Sequence, residues 1–251
     1  MSCVLISGAS SGIGAATARR LAAAGADLVL LARREDRLQR LANELSAEFG
    51  IKVQTGKVDV RDAQDIDRLS ESLDLSKVDV LINNAGLAKG VDKMQHAAVA
   101  DWDVMIDTNI KGLLYLTRAV LPLMLKQGCG HIVNVGSVAG RWVYSGGAVY
   151  CASKFAVRAL SEGLRMDLMG TPIRVTNIEP GLVETEFAQV RLEDAVRAQA
   201  VYEGLQPLAA EDVAEAIEWT LSRPSHVNVQ ELVLFPTAQA AVGQVHRAPR
   251  K

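Results

Sequence analysis

Short apolar runs alternate with longer amphipathic stretches along most of the chain. The apolar runs are rich in Val, Ile and Leu and mostly continuous, which is typical of strands buried on both faces of a parallel sheet. They lie at residues 3–6, 28–31, 53–58, 78–82, 131–135, 173–178 and 231–235. Helical periodicity occupies residues 13–24, 36–48, 63–72, 101–126, 149–169 and 210–221. This order predicts an α/β fold, a doubly wound parallel sheet of about seven strands with helices on both faces.

One segment departs from the alternation. Residues 184–208 are charged, contain no predicted strand, and separate the sixth strand from the last helix. A connection of that length is a candidate substrate lid. Because no linker or repeat is visible elsewhere, we interpret residues 1–251 as a single domain.

Composition narrows the class of protein. Hydrophobic residues make up 49% and charged residues 22% of the 251 residues, which indicates a globular domain. The net charge is -2, so the basic excess of a general nucleic-acid-binding protein is missing. The sequence shows no apolar run of about 18 residues and no secretory signal. The three cysteines lie far apart and suggest neither disulfides nor a metal site. We therefore expect a cytoplasmic protein without a membrane, nucleic-acid or metal partner.

Glycines cluster where the first predicted strand passes into the first helix. Gly8 permits a tight turn, Gly12 allows a phosphate to approach the backbone, and Gly14 lets the helix pack on the strand. Free N–H groups at the helix N-terminus would bind a pyrophosphate, as in a Rossmann-type fold. The predicted cofactor-binding residues of this turn are Gly8, Ser10, Ser11, Gly12, Ile13 and Gly14. A glycine turn without a ligand is the alternative.

Two arginines follow the second predicted strand. An acidic residue at this position binds a ribose 2′-hydroxyl, whereas arginine accommodates a 2′-phosphate. Arg33 and Arg34 therefore predict NADP rather than NAD as the cofactor. In the alternative interpretation Glu35 binds the ribose, and the basic residues form a solvated helix face. Those basic residues are Arg33, Arg34, Arg37 and Arg40.

Three side chains in one stretch can surround a carbonyl group. Tyr150 and Lys154 are four residues apart at the start of a predicted helix, so they share one face, and Ser137 follows the preceding strand. A neighbouring ammonium favours the phenolate and lowers the pKa of a tyrosine, which suits it as a base. A serine hydroxyl would stabilise charge developing on the substrate oxygen. An ordinary surface pair of Tyr150 and Lys154 is the alternative.

With these motifs the chain resembles the short-chain dehydrogenases/reductases over nearly its whole length. The motifs are Gly8-Ala9-Ser10-Ser11-Gly12-Ile13-Gly14, Asp59-Val60, Asn83-Asn84-Ala85-Gly86, Asn109, Ser137, Tyr150-Cys151-Ala152-Ser153-Lys154 and Pro180-Gly181. The resemblance implies that Tyr150 is the general acid/base, that Lys154 lowers its pKa and binds the nicotinamide ribose, and that Ser137 positions the substrate. It also implies that Asn109 holds a water in a proton relay with Lys154.

The same resemblance implies further cofactor contacts. Asp59 and Val60 would contact the adenine. The adenosine ribose would lie along Asn84, Ala85 and Gly86. The nicotinamide and its phosphate would be enclosed by Pro180, Gly181, Val183 and Thr185.

Four local stretches look like the bacterial NADP-dependent 3-hydroxy acid dehydrogenases. They lie at residues 105–109, 117–122, 178–183 and 185–187. This narrower resemblance implies oxidation of serine, L-allo-threonine or related 3-hydroxy acids. Reduction of a semialdehyde, of sulfoacetaldehyde or of a secondary-metabolite aldehyde is the alternative.

A hydroxy acid needs a cation for its carboxylate. Candidates near the expected pocket are Lys89, Arg141 and Arg191. Arg191 lies in the candidate lid and can make a bidentate contact, which makes it our predicted substrate residue beside Ser137 and Tyr150; a solvent-facing charge is the alternative. An apolar wall, or alternatively core packing, is expected from Trp142, Tyr144 and Phe187.

Partners and other functions complete the predictions. Residues 101–126 and 149–169 are apolar around much of their helical circumference, which suggests a partner, and the family resemblance implies a homotetramer. The basic tail at residues 244–251 is either disordered or reaches a neighbouring subunit. Two other functions share these motifs, an NADP(H) sensor without turnover and a carrier-linked 3-oxoacyl reductase. The reductase would need a basic docking patch, which this nearly neutral chain does not show.

Overall fold

Each of the seven predicted apolar runs forms a strand of one sheet. The structure is a computed structural model that describes residues 2–248. The strands are β1 (Cys3–Ser7), β2 (Asp27–Ala32), β3 (Val53–Lys57), β4 (Val78–Asn83), β5 (Gly130–Val135), β6 (Ile173–Pro180) and β7 (Glu231–Leu234). All neighbouring pairs are parallel, in the order β3-β2-β1-β4-β5-β6-β7. The predicted doubly wound sheet is therefore confirmed.

Helices cover both faces of the sheet. They are α1 (Gly12–Ala23), α2 (Glu35–Phe49), α3 (Ala63–Asp67), α4 (Leu69–Ser72), α5 (Val99–Ile106), α6 (Gly112–Gln127), α7 (Ala148–Asp167), α8 (Phe187–Leu192), α9 (Ala195–Ala200) and α10 (Ala210–Leu221). The apolar faces of α1, α2 and α10 pack on one side of the sheet, and those of α3, α4 and α6 pack on the other. Both faces of the central strands are consequently buried, which explains why these strands are continuously apolar.

The strand order reverses between β1 and β4. Connections from β1 run outward through β2 to β3, whereas those from β4 run the other way to β7. At such a switch point the loops after the two strands diverge and leave a crevice at their carboxyl ends. The glycine turn follows β1, and the Asn83–Gly86 motif follows β4, so both motifs lie at this crevice.

Two predicted helices are interrupted. Residues 63–72 form α3 and α4, which meet at Arg68, instead of one helix. Residues 101–126 were predicted as one helix, but a π turn at Asp107–Lys111 separates α5 from α6. The π turn contains Asn109, whose side chain bonds to another loop, so tertiary contacts and not periodicity decide this break.

The candidate lid and the C-terminal tail pack together. Residues 184–208 contain α8 and α9. An isolated β-bridge between Val183 and Leu208 holds the two ends of this segment together. A hairpin that the sequence did not predict, β8 (Gln239–Ala241) and β9 (Gln244–Val245), follows β7. The Ala248 N–H then donates to the Gly204 carbonyl at 2.7 Å. The described part of the tail therefore lies on its own chain, neither disordered nor on a neighbour as expected; residues 249–251 lie outside the described residues.

Within residues 2–248, no helix is both long and apolar enough to cross a lipid bilayer.

Candidate active site

A cleft of about 920 Å³ opens at the carboxyl ends of the strands, at the switch point. Nearly all predicted site residues line it. The lining residues among them are Gly8, Ser10, Ser11, Gly12, Ile13, Arg33, Arg34, Asp59, Val60, Asn84, Ala85, Gly86, Ser137, Tyr150, Lys154, Pro180, Gly181, Val183, Thr185 and Arg191. The two predicted residues outside this lining, Gly14 and Asn109, lie directly behind it.

The glycine turn is closely packed against the loop after β4. Gly8 has a φ of 66°, a conformation that favours glycine, and a Cβ atom there would lie 2.9 Å from Ala85 Cα. A Cβ atom on Gly14 would lie 2.5 Å from the Gly8 carbonyl oxygen and 2.6 Å from Asn84 Nδ2. The turn can keep this shape only with glycine at these positions.

The Ser7 hydroxyl joins the same two loops. It donates to the Ile82 carbonyl and accepts from the backbone N–H groups of Asn84 and Ala85, at 3.1 and 3.0 Å. The Asn84 side chain returns two hydrogen bonds, to the carbonyls of Ser7 and Gly8. These five hydrogen bonds fix the two loops that form the floor of the cleft.

The basic residues after β2 face the cleft and the start of the candidate lid. The Arg34 guanidinium donates to Ser10 Oγ at 3.2 Å, to Ser11 Oγ at 2.6 Å and to Glu186 at 2.8 Å. Glu35 does not line the cleft and lies 4.0 Å from the Lys57 ammonium. The alternative interpretation, in which Glu35 binds the ribose, therefore has no geometric support.

Ser137, Tyr150 and Lys154 converge at the other end of the cleft. Tyr150 and Lys154 are buried and lie one turn apart on α7. The Lys154 ammonium donates to the Val135 carbonyl at 2.8 Å and lies 6.0 Å from the centre of the Tyr150 ring. Ser137 begins the short helical turn after β5 and forms a hydrogen bond with the Tyr150 hydroxyl.

Burial dominates the titration of both groups. It raises the pKa of the Tyr150 phenol above its ordinary value, and the hydrogen bond with Ser137 opposes that rise. Burial lowers the pKa of Lys154 to about 8. We expected the ammonium to lower the pKa of the phenol. In this geometry, burial outweighs any such effect and the phenol is protonated at neutral pH.

Asn109 is held rigidly in the π turn. Its side-chain amide accepts from the Leu87 N–H at 2.8 Å and donates to the Leu87 carbonyl and to Ser153 Oγ. A Cβ atom on Gly86 would lie 3.3 Å from Asn109 Oδ1 and 3.5 Å from Lys154 Nζ. The glycine therefore keeps the space between the amide and the ammonium open.

Among the described residues 2–248, Arg191 is the one candidate cation of the three that lines the cleft. Lys89 pairs with Glu193, and Arg141 pairs with Glu179 and Glu231, so both cations already have carboxylate partners within the chain. The Arg191 guanidinium lies 5.8 Å from the centre of the Tyr150 ring.

The predicted apolar wall is only partly present. Tyr144 and Phe187 line the cleft, and the Phe187 ring lies 5.6 Å from the Tyr150 ring, centre to centre. Trp142 packs on Phe235 instead, with ring centres 6.1 Å apart, and does not line the cleft. The prediction is wrong for Trp142 because its ring partner Phe235 directly follows β7, the strand at the edge of the sheet.

Comparison with known proteins agrees with this geometry. The family model for the short chain dehydrogenases matches residues 2–195. The chain is 46% identical over 250 residues to the NADP-dependent 3-hydroxy acid dehydrogenase YdfG of Salmonella typhi, covering 98% of this chain and 99% of that protein. It is 49% identical over 241 residues to sulfoacetaldehyde reductase 2 of Chromohalobacter salexigens, covering 94% and 95%. A solved closed form of serine dehydrogenase complexed with NADP+ superposes with a TM-score of 0.91 at 45% identity, covering 98% of this chain and 99% of that one.

The chain belongs to the short-chain dehydrogenase family. The predicted family, the Rossmann-type fold, the oxidoreductase class and the choice of NADP are thereby confirmed. Within residues 2–248, no group of three or more His, Cys, Asp or Glu side chains is placed to bind a metal ion.

Several residues that line the cleft of this dehydrogenase were missed from the sequence. They are Glu186, Tyr202, Gln239, Val242, Gly243, Val245 and Arg247. Arg247 donates to the carbonyls of Val201 and Glu203, so the tail is attached to the candidate lid. Neither hydrophobic periodicity nor a motif marks these positions. The charges of Glu186 and Arg247 are the one sequence feature that could have suggested a binding role.

Proposed function

We propose that this short-chain dehydrogenase transfers a hydride between NADP(H) and a small 3-hydroxy acid, with serine and L-allo-threonine as the leading substrates. The observation that carries the substrate class is the Arg191 cation beside the Tyr150 phenol. In a 3-hydroxy acid the reacting hydroxyl is on C3 and the carboxylate is C1, two carbon–carbon bonds away, so one molecule can reach both groups. The identity to 3-hydroxy acid dehydrogenases supports the same substrate class.

The residues of the cleft fit NADP. The glycine turn and the N-terminus of α1 would hold the pyrophosphate, because bare glycines and free N–H groups face the cleft there. Arg33 and Arg34 would hold the 2′-phosphate. The adenine and its ribose would lie against Asp59, Val60, Asn84, Ala85 and Gly86. The nicotinamide end would lie against Pro180, Gly181, Val183 and Thr185. When bound, the nicotinamide supplies the carbon that accepts or gives the hydride.

Ser137 and Tyr150 would hold the substrate oxygen between them. In oxidation, Tyr150 takes the hydroxyl proton; in reduction, the same phenol donates a proton to the carbonyl oxygen. Ser137 donates a hydrogen bond to the oxygen as charge develops on it. Lys154 binds the nicotinamide ribose, and its ammonium favours the phenolate during the transfer. Asn109, fixed by Leu87 and Ser153, holds the relay that returns the proton from Lys154 to solvent.

Arg191 keeps donors available for a carboxylate. Its guanidinium has five N–H groups. Single hydrogen bonds use its Nε, Nη1 and Nη2, towards Gly90, Tyr144 and Gly146. One N–H therefore remains on each terminal nitrogen, which is the arrangement that a bidentate carboxylate contact requires.

A sulfonate is the second candidate for the same cation. Sulfoacetaldehyde also carries an anion close to a reactive carbonyl, and a reductase of that compound is 49% identical to this chain. Its sulfonate would accept from the same two N–H groups of Arg191. Reduction assays with sulfoacetaldehyde and with 3-oxo acids, run side by side, distinguish the two substrates.

We further propose a cytoplasmic homotetramer. Large apolar side chains are exposed along the outer faces of α6 and α7, among them Leu114, Leu125, Phe155 and Met166. Exposed apolar patches of this kind are typical of subunit interfaces. Sedimentation of the purified protein measures the assembly, and a monomer at micromolar concentration would refute it.

The test of the function is NADP+ reduction with L-serine, D-serine, L-allo-threonine, 3-hydroxybutyrate and an uncharged alcohol. We expect turnover of the acids by the wild type and none by Tyr150→Phe. Arg191→Gln should raise KM for the acids at least about tenfold and leave the uncharged alcohol unaffected, because one partly buried charge-assisted contact is lost. Arg197→Gln is the matched control, since Arg197 also lies in residues 184–208 but does not line the cleft.

Two outcomes would contradict the proposal. An equal loss for acids and uncharged alcohols in Arg191→Gln would remove the carboxylate contact from the argument. Tight NADPH binding with no turnover of any hydroxy or carbonyl compound would favour the NADP(H) sensor instead.

A further inference from the structure

The carboxylate of Glu186 lies between Arg34, which lines the cleft where the 2′-phosphate would bind, and Arg37. Glu186 Oε2 accepts from Arg34 Nη1 at 2.8 Å, and Glu186 Oε1 accepts from Arg37 Nη1 at 2.6 Å. Glu186 comes directly before α8, and the arginines follow β2, so these ion pairs join two walls of the cleft that are about 150 residues apart in the chain.

Arg34 is also hydrogen-bonded to the glycine turn. Arg34 donates to Ser10 and Ser11, both predicted to contact the cofactor. The turn also touches the residue before Glu186, because a Cβ atom on Gly12 would lie 3.3 Å from Thr185 Cβ. Glu186 therefore reaches into the region where the phosphates of a dinucleotide would bind.

The negative charge of Glu186 disfavours a second anion at Arg34. The two guanidinium groups lower the pKa of Glu186 to about 2, so the side chain is an anion at every pH at which the enzyme works. Placing a phosphate dianion on Arg34 beside this carboxylate would bring like charges within a few ångströms of each other. The side chains are about 40% exposed, so Glu186 can turn away into solvent at small cost.

We propose that Glu186 competes with the 2′-phosphate of NADP for Arg34, and so determines how tightly this enzyme distinguishes NADP from NAD. Binding of the 2′-phosphate displaces the carboxylate from Arg34 and leaves Arg37 as its remaining partner. A cofactor with a 2′-hydroxyl leaves the ion pair with Arg34 in place. The inference rests on the proposed placement of the 2′-phosphate of NADP at Arg34.

The test measures binding of two fragments that differ by the phosphate alone. Titration calorimetry is performed with adenosine 2′,5′-bisphosphate and with 5′-AMP, on the wild type and on Glu186→Gln. We expect Glu186→Gln to bind the bisphosphate about two- to fivefold more tightly, which corresponds to the loss of a partly exposed ion pair. Its affinity for 5′-AMP should change less than about twofold.

The matched control is Glu184→Gln. It removes the same charge two residues earlier in the chain, where Glu184 forms no ion pair among the described residues. It should change the affinity for the bisphosphate less than Glu186→Gln does, because its effect is limited to long-range charge, which salt screens.

Three results would overturn the inference. In the first, Glu186→Gln binds the bisphosphate with unchanged or weaker affinity, which would mean that the carboxylate positions Arg34 for the phosphate. In the second, Glu184→Gln gives the same gain, which would reduce the effect to net charge. If the wild type shows no preference for the bisphosphate over 5′-AMP, the 2′-phosphate is not held at Arg34 and the inference fails. Because no hydroxy acid is present, none of these results depends on the substrate.

Discussion

His131 is a buried histidine whose hydrogen bonds fix its tautomer. It lies on β5 with 2% of its surface exposed, and its Nε2 is 2.8 Å from Thr176 Oγ1. The Thr176 hydroxyl donates to the Val229 carbonyl at 2.7 Å, so it can only accept from His131. Nε2 therefore carries the proton, and Nδ1, which has no partner among the described residues, would carry the second one. Protonation would bury an N–H without an acceptor.

The consequence is a loss of stability in mild acid. Burial, followed by the charge of Arg174, lowers the pKa of His131 from 6.5 to about 3. Between these values the unfolded chain binds one proton more than the folded chain, so stability falls as the pH drops below 6.5. From pH 7 to pH 5 the free energy of unfolding should fall by about 2 kcal/mol for this group alone. Above pH 7 the contribution does not change.

Urea unfolding at pH 7 and pH 5 measures this loss. The wild type should lose about 2 kcal/mol more than His131→Gln, whose amide can still donate to Thr176 but does not titrate. His226→Gln, a change at an exposed histidine, should lose as much as the wild type. If His131→Gln shows the same pH-dependent loss as the wild type, within about 0.5 kcal/mol, the argument is refuted. An NMR titration midpoint of the His131 ring near pH 6.5 would refute it independently.

Two further predictions concern the cleft. Gly14→Ala should weaken NADPH binding at least about tenfold in a fluorescence titration, because the new methyl group would displace the Gly8 carbonyl or Asn84. Gly163→Ala, a helical glycine with nothing within 4 Å of its Cβ position, is the control and should bind normally. The raised pKa of Tyr150 keeps its phenol protonated at neutral pH. From pH 7 to pH 10, kcat/KM for alcohol oxidation, which needs the phenolate, should therefore rise, and kcat/KM for carbonyl reduction, which needs the phenol, should stay constant. A flat oxidation profile from pH 7 to pH 10 would contradict this role of Tyr150.

Most of the fold could be predicted from the sequence because it follows from local pattern. Buried strands need continuous apolar side chains, and amphipathic helices need a repeat near 3.6 residues, so both leave a mark within ten residues. The glycine turn is equally local, since Gly8, Gly12 and Gly14 are each required by a conformation or contact of the turn itself. The break at Asn109 was not predicted, because its partners Leu87 and Ser153 are 22 and 44 residues away.

The electrostatics of the site could not be predicted, because they depend on the ion-pair partners and the burial of each charged side chain in the fold. Lys89, Arg141 and Arg191 were all candidates in the sequence, with Arg191 preferred for its place in the candidate lid, and their partners in the fold separate them. We expected a lowered pKa for Tyr150, but burial raises it. The degree of burial of a side chain cannot be read from a local sequence pattern.

The sequence by itself therefore determined the architecture, the family and the chemical groups available for hydride transfer, because those depend on residue types at short spacings. Only the tertiary structure decided which of these groups meet. It brought Glu186 to Arg34 and Arg37 across the cleft and attached the tail to the candidate lid through Arg247. Contacts between residues so far apart in the chain depend on how the helices pack on the sheet, and that packing leaves no periodic mark in the sequence.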